Sequence, residues 1–245
     1  VNPLKTEIYA HRGSSLQAPE NTMAAFQLAF QQGAQGIETD VQLTKDNIPV
    51  LIHDERVNRT TDGKGYVKDY TFKQLKQLDA GAWFSTEFAG ATIPSLEEFL
   101  KWIGGKPLTL NIELKNNKID YKNMETIVYD LLRSYDLLDR TILSTFNPNS
   151  VQRLRRISQH LNCALLRSRK KRQLISYAKE LGANAIHIKY RLLSKSLVQQ
   201  CKQQRLHIRV YTVNHPKQIL RCLDLDVNGI ITDVPNIAIS YSRKV

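Results

Sequence analysis

Two carboxylates, Glu38 and Asp40, are separated by one residue in the segment Gly36-Ile37-Glu38-Thr39-Asp40. In an extended chain residues i and i+2 point to the same side. Like charges held there repel unless a positive group sits between them, and a hard divalent cation with oxygen ligands meets that need. The competing reading is a polar strand face in solvent. The residues just beyond Asp40 favour the cation. Asp40 to Lys45 and Ile48 to His53 flank Asp46-Asn47, a pair suited to a tight hairpin turn. The predicted register sets Leu43 against Val50, Val41 against Ile52 and Asp40 against His53, with apolar residues paired. On this reading the hairpin returns the imidazole of His53 to the side of Asp40.

Other stretches carry chemistry of the same kind. Ile8-Tyr9-Ala10 reads as a buried strand whose end, His11-Arg12-Gly13, brings an imidazole and a planar guanidinium to one place. Such a pair suits an anion, and Arg is a bidentate donor for phosphate oxygens. In Leu108 to Lys115, Asn111, Glu113 and Lys115 alternate with Leu110, Ile112 and Leu114. An inward-facing Glu is costly unless paired or bound to metal, so Glu113 is the third candidate metal ligand and Lys115 a candidate phosphate contact. His160, His187, His207 and His215 are read as structural; His187 is the one whose strand position lets it face a site.

These residues need elements to position them. Pro19 to Thr22 opens a helix capped by Asn21 or Thr22, with Met23, Phe26 and Phe30 on one face and Gly33 as its stop. Residues 55–92 are turn-rich and read as an insertion over the carboxyl ends of the strands, with Thr71 to Gln74 as a capping box and Trp83 and Phe84 packed in the insertion's core. Ser95 to Glu98 forms a second capping box, for a helix running to Gly104. Beyond it come helices at about 121–136, 172–181, 194–204 and 216–223, one begun near Pro148, and strands at about 140–145, 161–166, 185–188, 207–213 and 229–233. With the hairpin set aside, eight strands alternate with helices. That is the period of a single α/β domain, a (β/α)₈ TIM barrel over residues 1–245 with a small insertion after the second barrel strand. An open doubly wound sheet is the runner-up, and the missing Gly-rich fingerprint after the first strand counts against it. In a barrel the carboxyl ends of all strands share one mouth, which makes neighbours of His11, Glu38, Asp40, Glu113 and Lys115.

The 245 residues are 42% hydrophobic, ample for a core, and no apolar run is long enough to cross a membrane. Val1 to Lys5 lack the apolar centre of a signal peptide, which points to the cytoplasm, although a start at Val leaves room for a removed leader. Cys163, Cys201 and Cys222 form no pair motif and read as core residues of a protein in a reducing compartment. The net charge of +12 favours anionic partners: phosphorylated metabolites, nucleic acid, wall polymers or membrane surfaces. The densest basic run, Arg167 to Arg172, has no interleaved aromatics and reads as a solvated loop entering a helix rather than a nucleic-acid groove. Oligomeric state is not readable.

The chain resembles the glycerophosphodiester phosphodiesterase family. The resemblance rests on His11-Arg12-Gly13, Ala18-Pro19-Glu20-Asn21-Thr22, Glu38 to Asp46, His53-Asp54, Arg59-Thr60-Thr61, Leu78 to Gly81, Ile93 to Glu98, Glu113-Leu114-Lys115, Thr212-Val213-Asn214 and Thr232-Asp233-Val234-Pro235. They span residues 11–235 in family order, and the combination is far more specific than any triplet. The resemblance implies a barrel with an insertion. It also implies a divalent cation, Mg²⁺ or Ca²⁺, on Glu38, Asp40 and Glu113, His11 and His53 as the general acid/base pair, and Arg12 and Lys115 near the phosphate. The implied activity is hydrolysis of a small glycerophosphodiester to glycerol 3-phosphate and an alcohol. One departure is Tyr211, where the family often has Trp; it bears on the glycerol or alcohol pocket and so on substrate preference. The alternative substrates are lysophospholipid, in a phospholipase D-type reaction, or teichoic acid, reached by peripheral contact with an anionic membrane or wall. An exposed apolar rim on the insertion would mark that alternative. A barrel that only binds is disfavoured, because neither His nor any of the three carboxylates is missing.

Overall fold

A computed structural model describes residues 6–244; the expectation about a leader, which falls on residues 1–5, lies outside them. Eight parallel strands close on themselves: β1 (Glu7–His11), β2 (Gly36–Leu43), β4 (Thr109–Leu114), β5 (Thr141–Thr145), β6 (Asn162–Arg167), β7 (Ala185–Lys189), β8 (His207–Tyr211) and β9 (Gly229–Thr232). β1 pairs with both β2 and β9, which closes the barrel, and β3 (Pro49–Leu51) adds antiparallel to β2 outside it. Helices follow the strands: α1 (Met23–Gln31), the short α2 (Phe72–Leu75), α3 (Leu96–Ile103), α4 (Met124–Ser134), α5 (Pro148–Ile157), α6 (Leu174–Glu180), α7 (Lys195–Gln203), α8 (Pro216–Asp224) and α9 (Pro235–Ser242). This is the expected (β/α)₈ barrel. No helix of the described residues is long and apolar enough to cross a membrane.

Local sequence explains the elements that carry the site. Both capping boxes form, Thr71 with Gln74 and Ser95 with Glu98. In α3 the buried residues Leu96, Phe99, Leu100 and Ile103 follow the helical repeat, each worth roughly 1.5–3 kcal/mol on burial. α1 is capped by Thr22, whose hydroxyl accepts from the Ala25 amide. Its buried face is Ala25, Phe26 and Ala29 rather than the expected Met23, Phe26 and Phe30; Phe30 is partly exposed and lies edge-on to Trp102. The small residues let the turn after β1 approach. Gly13 has φ +83°, and a Cβ there would come within 2.6 Å of the Ala25 carbonyl carbon.

Several expectations are corrected. The hairpin pairs Val41 with Leu51, Gln42 with Val50 and Leu43 with Pro49, one residue away from the predicted register. The loop has three residues, because the Thr44 amide donates to Ile48 and Asn47 takes a left-handed φ of 58°. The shift places Leu51 in the main core with Val41 and Leu43, while Val50 and Ile52 join Val57, Val67, Leu75, Ala80 and Ile93 in a smaller core. Asp40 therefore faces Ile52, whose amide donates to its carbonyl. Trp83 and Phe84 do not enter that small core. Trp83 is exposed, and the Trp83, Phe84 and Phe88 rings contact one another edge-on outside it. α6 starts two residues late because Gln173 adopts φ 53°, and α9, a helix beyond those expected, packs against β1 and α8. The three cysteines are buried.

Candidate active site

His11, Arg12, Glu38, His53, Glu113, Lys115 and Tyr211 all line one cavity of about 180 Å³ at the carboxyl ends of the strands, with Asn111, Phe146 and Lys189. Asp40 lies beside it, 1% exposed. His53 reaches the cavity despite the register shift because the chain bends away from the ribbon there. Gln42 holds that bend: its amide donates to the His53 carbonyl, and its oxygen accepts from the Tyr121 hydroxyl.

Register aligns the carboxylates. Glu38 and Asp40 alternate inward on β2, and Glu113 on β4 is the direct neighbour of Asp40. One oxygen from each of the three lies within 4.8 Å of the others. Burial, then the charges of its neighbours Asp40 and Glu113, raises the Glu38 carboxyl well above its ordinary range; burial likewise raises Glu113. Burial would raise Asp40 too, but the charges of Arg12, Lys115 and His53 and a hydrogen bond from Asn21 hold it far below the usual range. Lys115 Nζ donates to Glu113 at 2.9 Å and lies 3.9 Å from Asp40 Oδ1, and Arg12 Nε lies 3.2 Å from Asp40 Oδ2. Asp40 Oδ1 is buried and makes no hydrogen bond among the described residues. An orphaned carboxylate oxygen within an all-oxygen cluster fits a hard divalent cation.

Both histidines are oriented by a carboxylate. His11 Nδ1 donates to Asp233 Oδ1 at 2.6 Å, and His53 Nδ1 donates to Asp54 Oδ1 at 2.6 Å. A carboxylate only accepts, so each Nδ1 carries the proton and each Nε2 remains for the cavity. His11 Nε2 stands 3.9 Å from Glu38. Asp233 is fixed in turn by Ser15 and Asn214. Asp54 is gripped by Arg59, which also holds Glu20, and Glu20 binds Arg12. Asn21 links Thr39 and Asp40.

Asp233, Asp54, Glu20, Asn21 and Arg59 thus support the site, and sequence reasoning gives them no part in it, reading Asn21 only as a possible helix cap. Their one signal is membership of motifs quoted for other reasons; nothing in Thr232-Asp233 tells that Asp233 meets His11 across the closure of the barrel. Of the remaining histidines, His187 is wholly buried in the barrel interior, with Nδ1 3.5 Å from Asn111 Nδ2, and burial pushes its titration well below the usual range. It does not line the cavity. Tyr211 does, edge-on to Phe146, with its hydroxyl buried and without a hydrogen-bond partner among the described residues.

Residues 11–237 match the model of the glycerophosphoryl diester phosphodiesterase family. A glycerophosphodiester phosphodiesterase of Caldanaerobacter subterraneus subsp. tengcongensis is 40% identical over 241 residues, covering 98% of this chain and 99% of its own. One from Bacillus altitudinis is 41% identical over 243 residues, covering 98% and 99%. Among solved structures, an Oleispira antarctica phosphodiesterase in complex with the product sn-glycerol-3-phosphate superposes with a TM-score of 0.91 at 30% identity, covering 98% of each chain. The chain belongs to the glycerophosphoryl diester phosphodiesterase family.

Proposed function

We propose that this protein hydrolyses glycerophosphodiesters to glycerol 3-phosphate and an alcohol by acid–base catalysis between His11 and His53, with a divalent cation held by Glu38, Asp40 and Glu113. The observation that carries the reading is the pair of imidazoles, each locked through Nδ1 onto a carboxylate, on the rim of a cavity lined by Glu38 and Glu113 with Asp40 clustered beside them. The barrel with its 55–92 segment acts as one unit, supported by the Arg59 link from that segment to Glu20.

A phosphodiester gathers charge on its non-bridging oxygens as the transition state forms. Mg²⁺ or Ca²⁺ on the three carboxylates would supply charge stabilisation for those oxygens. Arg12 and Lys115 add fixed positive charge, held in place by ion pairs to Glu20, Asp40 and Glu113. One imidazole accepts the proton of the attacking hydroxyl at Nε2, and the other donates from Nε2 to the departing alkoxide. Asp233 and Asp54 keep both rings in the tautomer that leaves Nε2 available and stabilise each imidazolium when it forms. Tyr211 and Phe146 supply an apolar wall for the glycerol or the alcohol.

Replacing His11 or His53 by Ala lowers turnover about 10²- to 10⁴-fold, the usual worth of one proton-transfer role, while circular dichroism stays that of the folded barrel. Folded single variants with near-normal turnover on glycerophosphocholine would remove the assignment. A second reading, a lipid-linked or polymeric phosphodiester, is favoured by one observation: the exposed Trp83 ring and its neighbours Phe84 and Phe88 give the 55–92 segment the aromatic surface that such a substrate would use.

A further inference from the structure

Positive charge is distributed unevenly along the chain. Between Thr141 and Leu223 there are 17 lysines and arginines and a single acid, Glu180. The remainder of the chain carries 18 basic and 22 acidic residues, so this stretch accounts for the whole positive balance. It contains strands β5 to β8, half of the barrel wall.

Part of this charge is placed at the mouth. Arg167 ends β6 and opens the run to Arg172; Lys189 ends β7 and is followed by Arg191. The carboxyl ends of parallel barrel strands share one face, so both loops rim the same cavity as His11 and His53. Lys189 lines that cavity beside Leu166 and Tyr211. Arg191 donates through Nε and Nη2 to the Ser168 carbonyl, at 3.2 and 2.6 Å, which ties the two loops into one wall. Arg167 Nε is buried and has no hydrogen-bond partner among the described residues. Of these cations Lys189 itself lines the cavity, and Arg191 follows it two residues on in the same loop. Among the described residues none of the cations from Arg167 to Arg172, nor Lys189 or Arg191, is in an ion pair, whereas the opposite wall pairs Arg12, Arg59 and both histidines with acids.

We infer that the wall formed by the loops after β6 and β7 is an anion subsite, and that it selects phosphodiesters whose leaving alcohol carries a further phosphate. The inference rests on the phosphodiesterase reading of the cavity. On that reading the scissile phosphate meets Arg12, Lys115 and the cation that Glu38, Asp40 and Glu113 would hold. The glycerol moiety is neutral and needs hydroxyl contacts, not a row of cations. The Lys189 ammonium in the cavity, with the cations of the loop after β6 behind it, suits negative charge on the leaving alcohol, and the focused field there raises the local substrate concentration.

The test compares two soluble substrates that differ by one phosphate: glycerophosphoglycerol, and the same diester with its leaving glycerol phosphorylated. The expected result is a kcat/KM about tenfold or more higher for the phosphorylated one at low salt, the lower end of electrostatic steering, with the preference falling as salt is raised. In Arg167→Gln/Lys189→Gln/Arg191→Gln the ratio between the substrates falls towards one; Arg169→Gln/Lys170→Gln/Lys171→Gln, confined to the exposed loop, lowers it in part. Equal kcat/KM for the two substrates, or a preference that both variants retain, overturns the inference and leaves the phosphodiesterase reading standing. Failure to cleave either substrate strikes that reading instead. Vesicles of phosphatidylglycerol provide a third arm: sedimentation of the protein with them, lost in the triple variants, together with no preference between the soluble substrates, would assign the wall to a membrane and overturn the inference.

Discussion

Asp233→Asn removes the carboxylate that orients His11 and keeps the size of the side chain. In the folded protein the Asp233 carboxyl titrates at about 2, against an ordinary value of 3.8. Burial works to raise it; the hydrogen bond from His11 and that ring's charge, with hydrogen bonds from Asn214 and Ser15, outweigh burial. The difference corresponds to about 2 kcal/mol. Three partners share it and the side chain is 26% exposed, so roughly 1–2 kcal/mol belongs to His11. Losing that from the imidazolium formed during turnover costs about tenfold in rate. An amide that donates to Nδ1 would also favour the tautomer with the proton on Nε2, and in a serine protease the equivalent change costs about 10⁴. The expected outcome is a kcat lower by about 10- to 10⁴-fold with KM little changed, read as glycerol 3-phosphate release from a soluble diester. Stability supplies a second readout. A lowered acid contributes stability that is fully present above its ordinary value and lost as pH falls through its folded value. The variant's stability deficit is therefore constant above pH about 4 and shrinks between about 4 and 2. A folded Asn variant with kcat within about twofold of the parent would refute the argument that this carboxylate sets the working state of His11.

The same geometry predicts two further outcomes. Mg²⁺ or Ca²⁺ at about 100 times its dissociation constant stabilises the fold by about 2.7 kcal/mol, or roughly 5–10 °C for a chain of this size; Asp40→Asn removes the shift, as differential scanning fluorimetry would read. Gly13→Ala forces a Cβ into the α1 backbone at a left-handed φ, and lowers the unfolding free energy from urea titration by more than the ~1–2 kcal/mol that the φ alone costs, with loss of activity because the same turn carries His11 and Arg12.

The legible parts of this protein are those written in local pattern. Strand–helix alternation reveals the barrel, because each element declares itself by its period and its caps. The alternation of Asn111, Glu113 and Lys115 places a third carboxylate on an inward face from sequence alone. What is not legible depends on contacts between distant segments. A turn residue with two acceptable loop lengths, Asn47, leaves the hairpin register one residue off; the deciding factor is a small core built by residues as distant as Ala80 and Ile93. Trp83 and Phe84 look like core by composition, yet that small core is filled by Val57, Val67 and Leu75, so the rings remain outside. The His11–Asp233 contact spans 222 residues and exists only because β1 and β9 close the barrel. α9 escapes notice because its buried Ala238, Ile239 and Ser242 present no sharp apolar stripe.

The most direct test of the central claim is release of glycerol 3-phosphate from glycerophosphocholine by the purified protein, with Mg²⁺, with Ca²⁺ and with a chelator. Glu38, Asp40 and Glu113 predict release with at least one of the two cations and none with chelator, restored when the cation is returned. Release that continues undiminished in chelator would contradict the account, because three buried carboxylates around an orphaned oxygen would then have no part in the reaction.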